Sequence, residues 1–203
     1  MRRFSPRTLL AAASAALAAV LLIAGGLALW GSAYVHNTVQ SQLASQQIFF
    51  PPASAFAHPK AGTEITPSMI PSVSQYAGQQ LLTGQQAEAY ADNFIAVHIA
   101  NMAGGKTYSQ LSTESLAQPN NTALAGTVAT VFKGETLRSM LLNAYGWWKV
   151  SQIVYIVSLV LFGLGTVAGL ASAYLFTFGR RPRGAGRVAQ PTDHETITPT
   201  VTA

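Results

Sequence analysis

The chain has 203 residues, of which only 9% are charged, and a formal net charge of +5; soluble domains carry about 25% charged residues. Its arginines cluster at the two ends and do not interleave with aromatics on one face, which excludes nucleic acid as a partner and points to membrane orientation instead. Cysteine is absent, so disulfides and Cys-based zinc sites are excluded as well.

The predicted elements run in chain order as follows. Residues 1–8 form a cytoplasmic N-terminus bearing Arg2, Arg3 and Arg7. Residues 9–30 are an uncharged apolar run. At about 1.5 Å rise per residue the run is roughly 33 Å long, enough to cross a hydrocarbon layer about 30 Å thick. Trp30 and Tyr34 follow it, where amphipathic rings favour the headgroup level. An alternative reading makes this run a cleaved secretory signal, since Gly31 and Ala33 offer a small-x-small site. The run is longer than the core of such a signal, which favours a retained anchor.

Residues 31–149 form a mainly helical extracytoplasmic domain. Asn37 to Gln47 continue the first helix, and Ile48-Phe-Phe-Pro-Pro breaks it, because proline lacks a donor and restricts its predecessor. Pro51 to Pro71 read as irregular chain, with Thr66-Pro67 opening a brief helix. Thr83-Gly-Gln-Gln86 has the spacing of a capping box and opens a helix to about Met102. Ala87, Tyr90, Ala91, Phe94, His98 and Met102 form its buried stripe. Gly104-Gly105 stops it, since glycine accepts the left-handed cap conformation. Ser109 to Asn121 read as a polar connection, and Asn120 or Asn121 caps a helix from Thr122 to Trp148 with a bend expected near Gly134. Glu135 and Arg138 pair one turn apart on its solvent side.

Residues 150–178 form the second span, with Tyr145, Trp147 and Trp148 as interfacial anchors at its start. Residues 179–203 read as a disordered cytoplasmic tail. Its basic cluster of Arg180, Arg181, Arg183 and Arg187 is expected to attract anionic membrane lipids. With arginines before the first span and after the second, the positive-inside rule places both termini in the cytoplasm. The expected fold is mostly α: an antiparallel two-helix transmembrane hairpin in the plasma membrane.

Ala100-Asn-Met-Ala-Gly-Gly-Lys106-Thr107 imitates a phosphate loop, but that loop needs a strand before it, and here a helix precedes. His98 is the one histidine in a predicted ordered helix, and Glu88 and Asp92 lie toward the opposite side. A general base needs an orienting partner and a metal needs several ligands, so neither catalytic, metal nor cofactor residues are assigned. Gly165-x-x-x-Gly169, extended by Ala173, lets helix backbones approach closely. Ala11-Ala15-Ala19 on the first span offers a matching face, favouring packing within the chain over a homo-oligomer.

Tyr76-Ala-Gly-Gln, Tyr90-Ala-Asp-Asn-Phe-Ile, Gly105-Lys-Thr-Tyr-Ser and Phe132-Lys-Gly-Glu-Thr-Leu-Arg together resemble a group of small two-span membrane proteins of high-GC actinobacteria. The resemblance implies a two-span membrane fold and no activity. Three function classes remain: a membrane-anchored interaction or assembly module with a protein partner, an envelope enzyme using His98, and a small channel or transporter subunit. The last is disfavoured because neither span holds an Asp, Glu, Lys, Arg or His residue.

Overall fold

A computed structural model of the chain describes residues 5–59 and 65–178. The described residues are mostly helical and contain no strand beyond one isolated bridge, Phe49 to Gln80. Two long helices dominate. Helix α1 spans Pro6–Ser45 and α7 spans Thr122–Phe178. Between them lie α2 (Ala53–Ala57), α3 (Ile70–Val73), α4 (Gly84–Tyr90), a π-helical turn (Ala91–Ile95), α5 (Ala96–Met102) and α6 (Tyr108–Ala117).

Helix α1 starts where Ser5 accepts a hydrogen bond from the Thr8 N–H and Pro6 takes the first turn, where its missing donor costs nothing. It ends before the prolines. The Gln46 and Gln47 N–H groups bond back to Leu43 and Ala44, with Gln47 in the left-handed region at φ 53°. Gln80 then donates its amide to the Ala44 carbonyl, satisfying an orphan acceptor of the last turn. Ile48 to Pro51 runs against Gly78 to Leu81 through three backbone hydrogen bonds of 2.9 Å: Phe50 to Gln79, Gly78 to Pro51 and Leu81 to Ile48. This short ladder places Phe50 in an aromatic cluster with Tyr76, Tyr90 and Phe94.

Thr66-Pro67 opens a turn, not the expected helix; the Thr66 carbonyl accepts from Met69, and α3 begins at Ile70. The stretch expected as a polar connection contains α6. Its start is a second capping box, in which Thr107 accepts from the Gln110 N–H and Gln110 accepts from the Thr107 N–H. Asn121 caps α7 by accepting from the Leu124 N–H at 3.0 Å. Helix α7 runs uninterrupted through Gly134, whose missing side chain admits Ile99 of α5; a Cβ there would lie 2.8 Å from Ile99 Cγ1.

The capping box at Thr83 is complete, and Gln86 also accepts from Leu82 and donates to Gln79. From it the chain is helical to Met102, but the buried face is not the expected one. Ala87, Ala91 and Phe94 are buried, after which burial passes to Ile95, Ile99 and Ala103, leaving His98 and Met102 exposed. The π turn is the cause. The Ala96 N–H bonds to the Ala91 carbonyl five residues back, so one extra residue enters the turn and the inward face slips by one.

Helices α1 and α7 pack antiparallel. Ser172 donates to the Ala11 carbonyl at 2.8 Å, and Ser32 donates to the Ser151 carbonyl at 2.7 Å. Buried positions recur every seven residues on both helices: Ala11, Ala18, Gly25, Ser32 and Val39 face Ser151, Ser158, Gly165 and Ser172. A seven-residue repeat drifts on a straight helix and stays in contact only if the pair winds left-handed. Small side chains fill this seam, so the helices are held by close backbone approach and two buried hydrogen bonds, not by a large apolar core.

Candidate functional site

Three clusters hold the side chains singled out from the sequence. The first is charged. Arg138 on α7 pairs with Asp92 at 2.8 Å and with Glu135 at 3.7 Å. The expected Glu135 pair is therefore the weaker of two, and the stronger one ties α7 to the π turn. Glu88, one turn before Asp92, accepts a hydrogen bond from the Tyr145 hydroxyl. That hydrogen bond, with desolvation and the carboxylate charge, holds the Tyr145 phenol above its ordinary value of 10.0. A raised pKa means that the folded state favours the protonated phenol. The resulting stability is present below the unfolded value of 10.0 and is lost as pH rises through the folded one. Ultraviolet titration is expected to find Tyr145 ionising later than an ordinary tyrosine, and Glu88→Gln to bring it earlier. Identical titrations in the two proteins would exclude the contact.

The second cluster is a groove of about 250 Å³ between α5 and α7, with His98 on its wall among Phe94, Ile99, Met102, Lys133 and Leu137. None of Glu88, Asp92 or Glu135 lines it. On the other side of Leu137 a second groove of about 380 Å³ opens between α1 and α7, and Met140 and Trp147 belong to it. Leu137, Met140 and Trp147 are 40%, 64% and 54% exposed, and Met102 is 38% exposed. They form an apolar band that passes from one groove to the next.

The third cluster surrounds the ends of the apolar runs. Trp30 and Tyr34 are exposed and stacked on each other, with ring centroids 5.8 Å apart. Trp147 is exposed and Tyr145 half-buried. Trp148, expected beside them as an interfacial anchor, is 5% exposed and packs inside the protein. Its ring meets His36 of α1 at 3.9 Å and covers Gly84 of α4. The reason is helical phase: residues one apart in a helix point about 100° apart, so Trp147 and Trp148 cannot share a face. Gly165 lies in the seam beside Leu22, and Gly169 faces Ala18. Ala173 is exposed, and its neighbour Ser172 takes the seam position. The seven-residue repeat was the available signal for Ser32, Ser151, Ser158 and Ser172, which the four-residue glycine spacing does not reveal.

Gly104 and Gly105 adopt φ of 59° and 76° and close α5, and Lys106 pairs with Glu114 of α6. The phosphate-loop imitation is thus a helix stop followed by a helix start. Arg180, Arg181, Arg183 and Arg187 lie outside the described residues, as does the tail.

The class that these features define is a helical protein with two helices long and apolar enough to cross a membrane. No protein-family model matches the chain, and neither a curated protein nor a solved structure matches it.

Proposed function

We propose that the chain is a two-pass membrane protein with both termini in the cytoplasm, carrying an extracytoplasmic helical domain that docks a protein partner. Membrane insertion is supported by exposure: only 17% and 11% of the most apolar windows of α1 and α7 are buried, whereas the core helix of a soluble protein is mostly buried. Retention of the first span is supported by the bond from Ser172 to the Ala11 carbonyl, which a cleaved signal would forfeit. The single observation that carries the docking role is the apolar band of Met102, Leu137, Met140 and Trp147, which continues past the apolar runs into the domain. Exposed apolar patches of this kind mark interaction surfaces.

Topology is tested with single thiols, since the chain has no cysteine of its own. In intact cells an impermeant thiol reagent is expected to label Ser109→Cys and to spare Ser5→Cys and Thr192→Cys. Labelling of Ser5→Cys, or none of Ser109→Cys, would reverse the reading.

The role is tested by placing a photoreactive side chain at Met140 in native membranes. Capture of a discrete protein partner is expected, and Leu137→Asp with Met140→Asp should abolish it. His98→Gln should leave both capture and biological role intact. Loss of the role in His98→Gln at unchanged stability would instead favour an envelope enzyme.

A further inference from the structure

At the outer end of the two apolar runs, on the flank away from Met140, a notch of about 330 Å³ opens between α1 and α7. Leu29, Ser32, His36 and Asn37 line it from α1, and Gln152 and Tyr155 from α7. The Ser32 hydroxyl is committed to the Ser151 carbonyl, and the His36 ring is packed on Trp148. The side chains of Asn37, Gln152 and Tyr155 make no hydrogen bond to any other described residue. Two amides and a phenol with unspent donors therefore converge on one concavity. Such groups are costly to leave unpaired at the border of a hydrocarbon layer.

The surroundings narrow what fills the notch. Lys149 lies one turn before Gln152 on α7, but its ammonium sits over the Tyr145 ring, 5.5 Å from the ring centre, and not in the notch. Ile156 and Leu159, 60% and 50% exposed, lie farther into the apolar run. The occupant must offer acceptor oxygens at one end and hydrocarbon at the other. We propose that the notch holds the phosphodiester headgroup of an outer-leaflet phospholipid. Asn37, Gln152 and Tyr155 donate to its oxygens, and its acyl chains lie along the apolar run of α7. This site rests on the membrane reading given above.

The test uses the full chain in nanodiscs whose phospholipid carries a photoactivatable diazirine in its headgroup. Mass spectrometry of the wild-type chain is expected to locate crosslinks near Asn37 and Gln152. Asn37→Leu combined with Gln152→Leu removes both amides at nearly constant volume, and should lower that yield by about tenfold, as loss of two hydrogen bonds implies. Gln152→Glu, which keeps polarity but repels phosphate, should lower it as well. Gln42→Leu, in the groove on the opposite flank, should leave it unchanged. Yields within about twofold of wild type in both notch variants would overturn the site. Displacement of the crosslink by millimolar inorganic phosphate would overturn a lipid source in favour of a free anion. Failure of the chain to float with lipid on a density gradient would instead overturn the membrane reading itself. Flotation with unchanged variant yields overturns the notch alone.

Discussion

Gly84→Ala is expected to destabilise the helical layer between α1 and α7 by about 3 kcal/mol, at the upper end of the cost of overpacking. Gly84 opens α4 with its backbone directly on Trp148 of α7; a Cβ there would lie 2.4 Å from Trp148 Cβ and 2.5 Å from its Cγ. Those atoms are fixed to the α7 backbone, and the indole is confined by His36 on its far side, so no rotamer change relieves the clash. Either α4 moves off α7 or Trp148 leaves its site. Both disturb the complete capping box at Thr83 and Gln86. Denaturant melting followed by tryptophan fluorescence reads the change. Gly126→Ala and Gly146→Ala are the controls: nothing lies within 4 Å of a Cβ at either position. Each should gain up to about 1 kcal/mol from the better helix propensity of alanine. If Gly84→Ala melts with these controls, the contact with Trp148 is not tight.

The second large effect belongs to the seam between the long helices. Ala18→Cys with Gly169→Cys is expected to form a disulfide when membranes are treated with iodine, which enters the apolar layer and takes up the two electrons the thiols lose. The Cβ atoms would be 3.8 Å apart, which matches the usual separation across a disulfide, about 3.8 Å. Gly165→Leu in that background should slow closure at least tenfold and weaken the helix pair by about 2–3 kcal/mol. A Cβ at Gly165 already meets Leu22 at 3.0 Å and Leu21 Cβ at 3.3 Å. Leu22 is partly exposed and can swing aside for one methyl group, but the larger side chain of leucine reaches the α1 backbone. Gly165→Ala should therefore be mild where Gly165→Leu is severe. Unhindered closure in Gly165→Leu would mean that the helices do not cross closely at this point.

Local signals were legible wherever the cause lies within a few residues. The caps at Thr83 and Asn121 depend on side chains bonding their own backbone neighbours, the stop at Gly104-Gly105 depends on glycine's freedom to take positive φ, and the structure has all three. The cap at Thr107 has the same spacing, with Gln110 three residues on, and shows that α6 was also readable there. The slip of the buried face from His98 to Ile99 was not readable, because the π turn between Ala91 and Ile95 contains no proline or glycine to announce it. It brings Ile95, Ile99 and Ala103 into the core and faces Asp92 toward Arg138, forty-six residues away in sequence.

By itself the sequence determined the two long apolar helices and the helix ends at Thr83, Gly104-Gly105 and Asn121, since length, the absence of charge and capping chemistry are properties of contiguous residues. Only the tertiary structure decided which faces meet. The seven-residue seam from Ala11 to Val39, the burial of Trp148 on Gly84 and the polar notch at Asn37 and Gln152 each join residues more than sixty positions apart. The seam and the notch follow from the winding of α1 and α7 about each other, and the one-residue slip of the π turn sets which face of α5 turns inward.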